Sequence, residues 1–109
     1  MTKKFKLNGE EIKDFATGFG GCIATDMITV EGEKVGYMYR SEPNNDMDSG
    51  WCFLSGYETQ EYMDNPEHHE IYDVNTIANY DSDIIKYLNA PIGSRFERNE
   101  SNELVEIKE

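Results

Sequence analysis

The chain is short of positive charge. Lys and Arg together number 10 against 22 Asp and Glu, leaving a formal net charge of −12 over 109 residues. A surface with that surplus repels a phosphate backbone, so ordinary DNA or RNA binding is excluded and basic partners are favoured; the same acidity also keeps a protein in solution. Cysteine is scarce as well. Cys22 and Cys52 each lie in an apolar stretch, and neither belongs to a Cys-x-x-Cys pair, so both read as reduced, buried thiols. The opening residues, MTKKFKLNGEE, lack a long apolar run. Neither a signal peptide nor a membrane span is expected, and a cytoplasmic setting follows. The length fits one domain, residues 1–109, large enough for a core without staples.

Histidine is confined to the pair His68-His69 in NPEHHE. Adjacent side chains oppose each other on a strand and diverge by about 100° on a helix. A zinc site wants three or four ligands at spacings such as i, i+4, so no metal is expected here. The stretch reads as a solvated loop. NNDMDSG begins like a calcium loop, with Asp46 and Asp48 at positions three and five from Asn44. The glycine needed at six is Ser49, and the glutamate needed at twelve is Ser55. GFGG lacks the spacing of a dinucleotide fingerprint and leads into a strand, so no cofactor is expected.

What is present argues for an α+β domain: an antiparallel sheet around a β-hairpin, with short helices packed on one face. After a turn at Asn8-Gly9, Ile12, Phe15 and Ala16 fall at helical spacing before Gly18. Residues 22–40 predict the hairpin, turning at Gly32-Glu33 with Val30 opposite Val35 and Glu31 opposite Lys34. Tyr37 and Tyr39 would then share one face and Met38 take the other. WCFLSG is a third strand, with Trp51 and Phe53 on one face and Cys52 and Leu54 on the other. YETQEYMDN predicts a short helix stopped before Pro66, and Asp73 is placed to cap a turn carrying Val74, Ile77 and Ala78. Asp81 or Ser82 caps DIIKYLN, and IGSRFER and LVEIK read as two closing strands.

Carboxylates concentrate in 42–48 and 58–73, and seven tyrosines and one tryptophan are many for this length. Tyr and Trp anchor interfaces when they are not core. The candidate partner-binding set is therefore Glu42, Asp46, Asp48, Tyr57, Glu58, Glu61 and Tyr62, forming one face if the loop before Trp51 and the segment after Ser55 meet at one edge.

The blocks GGCIATDMITVEGEKVGYMYRSEPNNDMDSGWCFLSG, YMDNP and IYDVNTIANYDSDII, in that order, resemble a bacterial family first filed as domain of unknown function number 2185. That family has been grouped with the immunity proteins of polymorphic toxin systems. The similarity spans about residues 20–97. The resemblance implies a toxin partner, here a basic protein toxin, with no catalytic residue carried over. It also implies that Asn75, Asn79 and Asp81 cap or brace turns. The alternative is a small enzyme using Asp73, Asn75 or His69, with a cleft joining Tyr39, Trp51 and the 73–81 segment.

Overall fold

The computed structural model describes residues 5–7 and 9–107, so the Asn8-Gly9 turn lies outside the described residues. Six strands make one sheet: β1 (Gly21–Thr25), β2 (Tyr37–Arg40), β3 (Asp48–Leu54), β4 (His69–Asp73), β5 (Arg95–Arg98) and β6 (Leu104–Glu106), in the order β4-β1-β3-β2-β5-β6. Three short helices accompany it, α1 (Asp26–Thr29), α2 (Gln60–Asp64) and α3 (Val74–Tyr80), with 3-10 turns at Gly9–Glu11, Pro66–His68 and Ser82–Tyr87. This is an α+β domain, as its mixture of elements predicts.

The sheet departs from expectation in its wiring. β1 pairs with β3 in parallel and with β4 in antiparallel fashion, so the sheet is mixed. The 22–40 hairpin does not form, because β3 lies between β1 and β2. The reason is local. Asp26–Thr29 wind into a helical turn, and the N–H groups of Gly32 and Glu33 donate back to the carbonyls of Ile28 and Met27. Burial of Ile28 and Thr29 overrides the strand preference of these β-branched residues. Val35 is buried ahead of β2, and its N–H donates to Asp81. The hairpins that do form are β2–β3 and β5–β6.

Two further corrections concern segments held by distant partners. Residues 12–16 form no helix. The backbone there is held by side chains from α3 instead: Asn75 Oδ1 accepts from the N–H groups of Phe15 and Ala16, and Asn79 Oδ1 accepts from Lys13 N–H. In NPEHHE, His68 closes a 3-10 turn and His69 opens edge strand β4, so the second half of the supposed loop is paired backbone.

Alternation along the strands holds where strands form. Cys22, Ala24, Met38, Trp51, Phe53, Phe96 and Leu104 point to one side and pack with Ile28, Val74, Ile77, Ala78, Ile84 and Leu88 from the helices and turns. Asp73 caps α3 by accepting from Asn75 N–H, and Asp81 caps the next turn through Asp83 N–H. Thr59 caps α2, which ends before Pro66.

Candidate functional site

The face turned away from the helices carries Ile71, Ile23, Cys52, Tyr39 and Arg95 in one cross-strand row, by the register of β4, β1, β3, β2 and β5. Tyr39 is therefore on the open face, whereas Trp51, one residue from Cys52, is in the core. A cleft joining Tyr39 to Trp51 has no place in this sheet. The other residues of the enzymatic alternative have structural duties. Asp73 and Asn75 hold α3 and residues 13–16, and Asp81 accepts from Val35 N–H and pairs with Arg98 at 2.7 Å. Asn75, Asn79 and Asp81 thus brace and cap, as the family resemblance implied.

At the start of β3 the backbone leaves regular pairing. Gly21 aligns with Asp48, but Ile23 aligns with Cys52, so β3 carries two more residues than β1 over this stretch. The extra length is a bulge at Ser49-Gly50. Gly50 has φ +86°, and a Cβ there would run into the Ser41 carbonyl. The bulge turns the 41–48 loop over the end of β1. Gly21 N–H donates to the Met47 carbonyl at 2.6 Å, Ser49 Oγ donates to the Gly21 carbonyl, and Arg40 Nε donates to the Ser49 carbonyl at 2.9 Å. Within the loop, Asp48 accepts from the N–H groups of Asn44 and Gly50, both at 2.9 Å.

The result is a groove of about 460 Å³ between this loop and strands β1 and β4, lined by Ile23, Ile71, Met47, Asp46 and Asp48 among others. Its apolar members are open to water: Met47 is 81% exposed, Ile71 79% and Ile23 39%. Of the sequence-predicted residues, Asp46 and Asp48 line it, and Glu42 lies exposed on the same loop.

The remaining predicted residues sit elsewhere. They follow the far end of β3, whose seven residues span about 20 Å, so Tyr57, Glu58, Glu61 and Tyr62 are separated from the 42–48 loop by the length of that strand. Glu58 turns inward, accepting from Thr25 Oγ1 and from the N–H groups of Ser55 and Gly56. Burial alone would raise its carboxyl, but these hydrogen bonds win and hold it below the usual carboxylate range. Glu61 and Tyr62 line a shallow depression in which the Tyr62 ring stacks on His68, centroids 4.1 Å apart. Burial, with the carboxylates of Asp26, Glu58 and Glu31 nearby, pushes the Tyr62 hydroxyl up. Tyr57 is exposed on a third depression, where Glu33 and Glu97 mix with Lys34 and Arg98.

Cys22 and Cys52 are free and buried, their thiols pushed up by burial. Among the described residues, no three His, Cys, Asp or Glu side chains are grouped as metal ligands would be, and no helix is long and apolar enough to cross a membrane.

The family profile described as "Immunity protein Imm33 domain" matches residues 22–108, nearly the whole chain. The chain belongs to the Imm33 immunity-protein family. The matched span contains the whole sheet except Gly21, and with it most of the groove. Searches of curated proteins and of solved structures found no match.

Sequence reasoning missed Ile23, Met47 and Ile71, because their convergence depends on β1 sitting between β3 and β4. It also passed over a signal that was there to read. From Ser41 to Ile85 there is no Lys or Arg, yet eleven of the 22 acidic residues fall in that span.

Proposed function

We propose that this protein neutralises a toxin by binding it and occupying its surface, with no turnover of any substrate. The observation that carries the reading is the family match over residues 22–108. The net charge of −12 supports a basic toxin as the partner, because opposite charge steers encounter and suppresses wrong pairings. A cytoplasmic setting, with both thiols reduced, belongs to the same reading. The internal duties of Asp73, Asn75 and Asp81 favour binding over catalysis at that segment.

The test is co-expression with each protein domain encoded by the genes flanking this chain's own, to find a toxin whose effect it relieves. Rescue of growth, together with a stable complex from which the toxin is recovered at unchanged mass, is the expected result. A toxin released with a covalent change would overturn occupancy, and absence of both rescue and complex would overturn the reading.

A further inference from the structure

The sheet is divided by charge along its strand order. β4, β1 and β3 contain no Lys or Arg, whereas β2 and β5 hold Arg40, Arg95 and Arg98, of which Arg95 lies on the open face. The groove described above lies on the anionic half. Single exposed apolar side chains need no explanation, but here three of them, from three separate segments, meet at one place. We infer that this groove is the docking surface, and that its occupant is a cationic protein surface placing an apolar side chain between Met47, Ile23 and Ile71. The inference rests on the immunity reading and gives that reading its location.

Three observations favour this occupant. The groove wall is held by the Gly50 bulge and the bonds from Gly21, Ser49 and Arg40, so little ordering remains to be done on binding. Asp46 and Asp48 stand beside the apolar floor, giving the pattern of an apolar centre with a charged rim. A second copy of this chain is the wrong partner electrostatically, since each carries −12. The other two depressions fit less well. One mixes charges of both signs, and the other is partly filled by the Tyr62–His68 stack.

The experiment uses the full chain and the toxin domain found by that co-expression, purified in an inactivated form, with binding followed by surface plasmon resonance. The double variant Met47→Ser/Ile71→Ser removes the two most exposed apolar groups, and urea midpoints verify that it stays folded. It is expected to weaken binding by about 10–100-fold, mostly through faster dissociation. Asp46→Lys is expected to slow association several-fold at low salt and flatten its salt dependence. Val105→Glu, on the opposite edge strand β6, is expected to bind as the parent does. If the complex forms and all three variants stay within about twofold of the parent, the groove is the wrong surface while the immunity reading stands. If no complex and no protection are seen, both fall. A dimer of this chain that dissociates on Ile71→Ser would show a second copy in the groove and overturn the proposed occupant.

Discussion

On the helix side of the sheet, Cys22, Ala24, Met38, Trp51 and Phe53 are closed off from water; on the other side, Ile23 and Ile71 stand 39% and 79% exposed. The two sides are built from the same strands, with residues one apart in sequence. Trp51 and Cys52 alternate, as do Ala24 and Ile23. What separates the faces is the covering. α1, α3 and the Ser82–Tyr87 turn lay Ile28, Val74, Ile77, Ala78 and Ile84 on one side only. The comparison teaches that an apolar residue at an alternating position is closed off only if something comes to meet it, an element on the helix side or, for Cys52 at 7% exposure, neighbouring side chains on the open side. Where nothing does, it is available to a partner.

The largest expected effect lies on the covered face. Trp51→Ala removes a fully buried ring stacked on Phe53 and bonded to the Leu88 carbonyl, and should lower unfolding free energy by about 3–5 kcal/mol in urea denaturation. A loss under about 1 kcal/mol would break the distinction between the two faces. Next is the pair beneath the β2–β5 end of the sheet. Arg98→Met leaves Asp81, whose side chain is 3% exposed, without its guanidinium partner at 2.7 Å, and should cost roughly 3 kcal/mol. Asp81 keeps its bonds from Val35 and Asp83 N–H, so Asp81→Asn in the Arg98→Met background should recover part of that loss.

Glu58 sharpens the comparison at the edge of the open face. Its carboxyl sits below its ordinary value near 4.5, so its bonds contribute stability above that pH and lose it as pH falls through the lower folded value. Glu58→Gln should cost about 1–2 kcal/mol at pH 7, and its stability should fall less steeply than the parent's between neutral and acid pH. Parallel stability curves for parent and variant would show that the Thr25, Ser55 and Gly56 contacts do not favour the charged form. The smallest effect belongs to the open face itself. Ile71→Ser should change unfolding free energy by less than about 0.5 kcal/mol, since the side chain is already in water. A cost near that of Trp51→Ala would mean that the face is covered after all.

Much of the local structure was legible. Asp73 and Asp81 cap the turns they precede because capping joins residues two apart, and YETQEYMDN stops before Pro66 because proline constrains its neighbour. The strand at Trp51–Leu54 and its alternation were readable for the same reason. The hairpin predicted over 22–40 does not form: Ile28 and Val30 favour strands locally, but burial of Ile28 between sheet and α3 rewards one helical turn. β4 was hidden because His69, Glu70 and Asp73 on a solvent-facing edge give no apolar alternation. Of the candidate site, the acidic loop was visible and the apolar floor was not.

By itself the sequence determined the anionic character, the family, the caps, and which residues of a strand share a face. Each depends on composition or on neighbours a few positions apart. Only the tertiary structure decided that β3 separates β1 from β2, which face the helices cover, and that Ile23, Met47 and Ile71 meet beneath the acidic loop. Those outcomes depend on pairings between segments up to about fifty residues apart in the chain, where the choice among strand neighbours is made by total burial and hydrogen bonding of the whole sheet rather than by any single stretch.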